Sequence, residues 1–224
     1  MTGMAPVSVV SIALLAALCA PRLHACETAL LLAMDVSNSI DPSEYAIQTE
    51  GLALALADPE IAAIMVEDRV ALAVLQWSGP GDQALMLGWT EIAEPADLAG
   101  FAAAAGAMER AFVLSDTAPG AALGAALDAI ERAPPCKRRV IDVSGDGTPN
   151  SGPPASAARV RAERMGVTIN GLAIEGPGSG LPVSNYYRQV LITRDGFVMT
   201  ARSHRAYAET LRRKILREIA QILG

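Results

Sequence analysis

The sequence predicts an α/β fold: one doubly wound, mostly parallel six-stranded sheet with one antiparallel edge strand and helices on both faces. Three observations carry this. Ala29-Leu30-Leu31-Leu32-Ala33-Met34 is uniformly apolar and too short to span a membrane, as expected of a strand buried on both faces. Strand-like apolar runs alternate with helical stretches along the chain, with no internal repeat. Hydrophobic residues make up 51% of the 224 and aromatic ones only 4%, an aliphatic, alanine-rich composition suited to helices packed on a parallel sheet.

Each element has its own signal. After the first strand, Asp41-Pro42-Ser43-Glu44 reads as a helix start, with Asp41 as N-cap, Pro42 at the first helical position and Glu44 at the third. That helix runs to about Leu56, where Asp58-Pro59 ends it, and a short helix over 60–66 follows. Val70 to Trp77 is a second buried strand. Ser78-Gly79-Pro80-Gly81-Asp82 is a dense turn, and Gln83 to Trp89 returns as an antiparallel strand. Helices follow over 95–108 and 121–132, the second with Asp116 or Thr117 as N-cap. Arg138 to Ser144 is the fourth strand and runs into Gly145-Asp146-Gly147. A helix over 154–165 ends at Gly166, and Val167 to Ile174 is the fifth strand. A Gly/Pro-rich loop over 175–182 and a short helix over 185–192, with Tyr186 and Tyr187 half-buried, lead to an edge strand over 197–200. The final amphipathic helix, 204–223, turns Leu211, Ile215, Ile219 and Ile222 to one side. Its Arg212, Arg213, Lys214 and Arg217 read as a solvated basic face.

A formal net charge of −6 disfavours nucleic acid or an anionic membrane as partner. Residues 1–25 read as a cleaved secretory signal: Val7 to Ala20 is almost wholly apolar, and small residues precede Cys26. The remainder, 26–224, reads as a single domain that is periplasmic or secreted, without stable membrane insertion. In an exported chain, Cys26 and Cys136 form a natural disulfide pair. Cys26 lies nine residues before Asp35 and Cys136 ten before Asp146, so neighbouring parallel strands would start with the two cysteines side by side.

Three oxygen-bearing stretches then fall at one sheet edge: Asp35/Ser37/Ser39 after the first strand, Thr117 before a long helix, and Asp146 after the fourth strand. Two carboxylates and three hydroxyls, with no nearby His or Cys, suit a hard cation such as Mg²⁺, with Mn²⁺ or Ca²⁺ as alternatives. Polar ligands at strand carboxyl ends are also where open α/β sheets place their sites.

At these positions the chain resembles the von Willebrand factor type A (VWA) domain, a Rossmann-like fold. Asp-x-Ser-x-Ser stands at 35–39, a Thr followed three residues later by Gly at Thr117 and Gly120, and a strand ending in Asp-Gly at Asp146-Gly147. Three motifs in the family's order are far more specific than any one alone. Within the family it looks most like an uncharacterised subgroup of exported bacterial VWA-like proteins, domains of unknown function that share Asp142-Val143-Ser144-Gly145-Asp146-Gly147 and Trp77-Ser78-Gly79. The resemblance implies a metal-ion-dependent adhesion site (MIDAS). Ser37 and Ser39 would coordinate Mg²⁺ directly, Thr117 directly or through water, and Asp35 and Asp146 mainly through waters. The implied function is non-enzymatic: binding a protein ligand that supplies an acidic residue. The segment 176–185 has no counterpart in the family pattern.

Two alternatives from other classes stand beside this. A phosphatase-like hydrolase would use Asp35 as nucleophile, but such enzymes want a second acid two residues on, where Ser37 stands, and a lysine beside the phosphate. The other is a structural domain with an empty site. A hydrolase built on His204 has no nucleophile elbow.

Overall fold

A computed structural model describes residues 26–176 and 182–220 of the chain. Residues 1–25, read above as a signal, most of the Gly/Pro-rich loop and Ile222 lie outside the described residues. The strands are β1 (Thr28–Asp35), β2 (Ala71–Trp77), β3 (Gln83–Glu91), β4 (Arg138–Gly145), β5 (Thr168–Ile174) and β6 (Val198–Ala201). They form one sheet in the order β3-β2-β1-β4-β5-β6, with only the β2–β3 pair antiparallel. This is the predicted doubly wound, mostly parallel architecture, with the antiparallel strand at one edge.

Every residue of β1 and β2 is buried, which is why both read as unbroken apolar runs rather than alternating ones. Alternation reappears as a choice between two layers. Leu30, Leu32 and Met34 of β1 pack on one face with helices α1 (Pro42–Leu56), α2 (Pro59–Glu67), α3 (Pro95–Gly106) and α7 (Tyr207–Ile219). Leu31 and Ala33 pack on the other with α4 (Pro119–Ile130), α5 (Ala155–Met165) and the segment from α6 (Val183–Tyr186) through a π-helical turn at Tyr187–Leu191. Trp77 is fully buried, its indole N–H donating to the Ala33 carbonyl at 3.2 Å.

The helix starts follow the sequence signals with one exception. Asp41 caps α1, accepting from the Ser43 and Glu44 N–H groups while Glu44 reaches back to the Asp41 N–H. Gly166 ends α5 at φ 64°, the left-handed conformation that a side chain would oppose. The exception is α4. Its N-cap is Ala118, with no side-chain cap, and Pro119 opens the helix. Neither Asp116 nor Thr117 caps it, so the Thr117 hydroxyl is free for other work.

Cys26 and Cys136 form the expected disulfide, closing a separation of 110 residues. The same offset runs through the β1–β4 register, from Thr28↔Arg138 to Met34↔Ser144. The bridge therefore ties the two central strands at their amino ends, opposite the edge where their polar residues emerge.

Two expectations need correction. Tyr187 is fully buried rather than half-buried, and Gly171 of β5 leaves the room its ring occupies: a Cβ there would stand 2.6 Å from the ring. Lys214 is not on the solvated face. It is 0% exposed, with its Nζ 2.6 Å from Asp142 Oδ1 and 2.5 Å from Glu218 Oε1. Asn170 donates to the same Glu218 oxygen at 2.9 Å. Charged residues one helical turn apart look alike in sequence whether they face water or a buried partner. Here the partner is Asp142, in the middle of β4 and distant in sequence.

One buried cation between two buried carboxylates leaves negative charge in excess, and burial raises both acids, Glu218 to about 7. A carboxylate raised on folding stabilises fully below its unfolded pKa, and that stabilisation is lost as pH rises through the folded value. Unfolding free energy should therefore fall between about pH 4.5 and 7. The isosteric Glu218→Gln should remove much of that slope in urea titrations across this range. An unaltered slope would show that the proton is held elsewhere.

Candidate metal centre

From β1 the chain passes to β2 and β3 on one side and later returns to β4 on the other. The loops after β1 and β4 thus leave in opposite directions, opening a crevice at the strands' carboxyl ends. Asp35 ends β1 at the floor of that crevice. Its side chain is 0% exposed, and Oδ1 accepts the Ser37 N–H at 2.8 Å. Its Oδ2 is buried without a hydrogen-bond partner. Ser37 Oγ lies 3.3 Å from Ser39 Oγ, and Ser39 Oγ donates to Asp146 Oδ1 at 2.6 Å. A continuous run of oxygens therefore joins the first and third motifs across 107 residues of sequence.

Thr117 reaches the same place from the second motif. It is 7% exposed and lies against the Asp146-Gly147 turn: a Cβ on Gly147 would stand 3.3 Å from Thr117 Cγ2 and 3.7 Å from Oγ1. Asn150 fixes its backbone, accepting the Thr117 N–H at 2.9 Å through Oδ1 and donating its own N–H to the Thr117 carbonyl at 3.1 Å. The structure thus gathers Asp35, Ser37, Ser39 and Asp146 in hydrogen-bonded contact, with Thr117 beside them.

Other residues complete the surroundings, and little in the sequence pointed to them. Arg110 donates from Nη2 to the Val36 and Ser37 carbonyls, both at 2.8 Å, holding the Asp-x-Ser-x-Ser loop by its backbone. Buried Gln76 donates to Tyr45 Oη and the Glu109 carbonyl and accepts from the Ala111 N–H, fastening the segment that leads to Thr117. His204 Nε2 lies 3.2 Å from Glu44 Oε1 and 3.9 Å from Asp146 Oδ2. Gly145 matters by its lack of a side chain. A Cβ there would stand 2.7 Å from both Asp35 Oδ2 and Tyr187 Oη, two buried oxygens without partners.

The electrostatics state what this crevice lacks. Burial pushes Asp35 up to about 7, and neighbouring Asp146 adds to the rise. Burial also raises Asp146, with Glu44 adding and the Ser39 hydroxyl and His204 opposing. Among the described residues no three His, Cys, Asp or Glu side chains are grouped to hold a metal by themselves; the donors here are largely hydroxyls. An all-oxygen set, excess negative charge and an unpartnered buried carboxylate oxygen together fit a hard divalent cation. They fit the phosphatase alternative poorly. The chain has two lysines: Lys214 is committed to Asp142 and Glu218, and Lys137 pairs with Glu27 at the opposite sheet edge.

Comparisons with known proteins agree with this fold. Residues 25–223 match the profile of a family described as protein of unknown function (DUF1194). No curated protein matches the sequence. Among solved structures, a von Willebrand factor type A protein from Catenulispora acidiphila superposes with a TM-score of 0.64 at 20% identity, over 86% of this chain and 43% of that one. Proximal thread matrix protein 1 from the mussel byssus gives 0.63 at 15%, over 88% and 47%; another structure of that protein is described as having a zinc-occupied MIDAS motif. BatB from Bacteroides thetaiotaomicron gives 0.54 at 15%, over 87% and 99%. The chain spans less than half the length of the first two, and at these identities the likeness is one of fold.

The Gln76 anchor makes a direct prediction. Gln76→Leu strands the Ala111 N–H and the groups that the amide served, each unmet buried group costing about 1–3 kcal/mol. The urea midpoint should fall accordingly. An unchanged midpoint would mean that this segment is held by other contacts.

Proposed function

The chain belongs to the DUF1194 family and has a VWA-type fold, and on that premise we propose that it is an exported, non-enzymatic protein-binding module that holds a divalent cation in its crevice. Mg²⁺ is the first choice, with Mn²⁺ or Ca²⁺ as alternatives. Ser37 and Ser39 are the direct ligands and Thr117 binds directly or through water, while Asp35 and Asp146 orient them and the site's waters. The observation that carries this reading is the run of oxygens from Ser37 through Ser39 to Asp146, above an Asp35 carboxylate with one buried oxygen unpartnered.

The chemistry follows from the donor types. Hydroxyl ligands are neutral, so a dication held mainly by them keeps positive charge to offer. When bound, it supplies a Lewis-acidic point that an Asp or Glu of a protein partner can complete. Asp35 does the local work: through Oδ1 it fixes the Ser37 N–H, and with it the turn that presents Ser37 and Ser39. Arg110 holds the same turn from the carbonyl side. Export, with residues 1–25 removed, is supported by the Cys26–Cys136 disulfide. Among the described residues no helix is long and apolar enough to cross a membrane.

Calorimetric titration of Mg²⁺ into chelator-treated protein tests this. Wild type should give one site, and Ser37→Ala and Asp146→Ala should abolish or strongly weaken it. The affinity should also depend on pH. With Asp35 raised to about 7 in the metal-free fold, binding at lower pH must first displace a proton, so affinity should rise between about pH 6 and 8. Metal-free stability should fall as pH rises from the ordinary aspartate value of 3.8 to about 7, and Mg²⁺ should restore it above that range. A flat null trace for wild type and variants alike would remove the metal from the account. A measurable but pH-independent affinity would remove Asp35 alone.

A further inference from the structure

The segment between α3 and α4 does more than deliver Thr117. Its first half is fastened by Arg110 and by the Ala111 N–H on Gln76. Its second half is fastened at Ser115, whose carbonyl accepts the Asn38 N–H at 3.0 Å and whose hydroxyl bonds Asp82. The Asp116 carbonyl accepts from Ser78 Oγ at 2.9 Å. Between these anchors stand Val113, 65% exposed, and Leu114, 87% exposed. They are the only adjacent pair among the large exposed hydrophobics of the described residues, and Leu114 is the most exposed of them. Leu114 also sits at φ 55°, a left-handed conformation that a branched side chain disfavours and that turns ordinarily give to Gly or Asn. A leucine in that place gains nothing from burial and strains its own backbone.

Position gives this costly feature a use. Ser115, the next residue, is hydrogen-bonded to Asn38, the central residue of Asp35–Ser39. The apolar tip therefore borders the crevice. We infer that Val113 and Leu114 form the apolar half of the binding surface, so that the partner is a protein segment presenting an Asp or Glu with a large aliphatic or aromatic side chain beside it. This rests on the metal reading above, which supplies the carboxylate half. Charge decides against a lipid surface for the same tip. Glu109 and Asp116 flank it, both exposed, in a chain of formal net charge −6, and an anionic bilayer would repel them.

A displayed random-peptide library, selected on full-length mature protein with Mg²⁺ and with chelator, tests the inference without knowledge of the natural partner. Wild type in Mg²⁺ should enrich peptides pairing Asp or Glu with a neighbouring Leu, Ile, Met or Phe. Leu114→Gly and Leu114→Asn should keep the acidic position and lose the apolar one. A synthetic peptide of the wild-type consensus should bind either variant about tenfold or more weakly, the loss expected for one aliphatic contact, while their Mg²⁺ isotherms match wild type. Both variants should also melt at higher temperature, because each tolerates φ 55°.

Enrichment of acidic peptides with no apolar preference overturns the tip's role and leaves the metal reading standing. Apolar peptides selected equally with chelator sink the metal reading instead, and with it the composite surface. No enrichment, or a lower melting temperature in both variants, overturns the inference. Leu114-dependent co-sedimentation with phosphatidylglycerol vesicles would assign the tip to membrane and overturn it too.

Discussion

A buried carboxylate with one oxygen satisfied and one left over is the constraint around which this molecule is arranged. Asp35 closes the central strand of a parallel sheet, where the strands on either side are reached by opposite routes. The backbone there cannot satisfy everything it buries. One Asp35 oxygen holds the Ser37 N–H and the other is buried beside Gly145 without a hydrogen-bond partner. In low dielectric such a group keeps its proton or acquires a cation. The hydroxyls of Ser37 and Ser39, the Asp146 carboxylate and the neighbouring Thr117 suit the second outcome. The loops that bring them are held by side chains acting on backbone: Arg110 on Val36 and Ser37, Asn150 on Thr117, Gln76 on Ala111.

The rest of the structure keeps that edge in place from a distance. The disulfide joins β1 and β4 at their amino ends in the register that sets Asp35 near Asp146 at their carboxyl ends. A second polar seam runs under α7, through Asp142, Lys214, Glu218 and Asn170. A buried ion-pair cluster of this kind adds little net stability. It does require α7 to sit in one register against β4, and His204, just ahead of α7, takes its place beside Asp146 accordingly.

Much of this was legible in the sequence because it rests on local rules. The buried strands announced themselves as apolar runs, α1 by its capping box, the end of α5 by a glycine. Asp35, Ser37 and Ser39 are within five residues of one another, and Thr117 and Asp146 stood at the ends of recognisable elements. What escaped depends on contacts with no local signature. Lys214 shares a helix with exposed arginines, and only Asp142 across the layer marks it as buried. Arg110, Gln76 and Asn150 serve the site through backbone groups that no motif encodes, and His204 reaches Asp146 by the packing of α7. Thr117 looked like a helix cap because a Thr before a helix commonly is one; the cap position falls one residue later, on Ala118. The strained leucine at 114 contradicts local preference, and such contradictions cluster where a surface is put to use.

The central claim is that hydroxyls and carboxylates from three distant parts of the chain enclose one cation. Anomalous diffraction from crystals soaked in Mn²⁺ addresses it most directly. The account predicts a single anomalous peak at bonding distance, roughly 2.0–2.3 Å, from both Ser37 Oγ and Ser39 Oγ, with Thr117 Oγ1 in the direct or water-bridged shell. A peak seated between Glu44 and His204 instead, or soaked crystals with no peak at the carboxyl ends of β1 and β4, would contradict it.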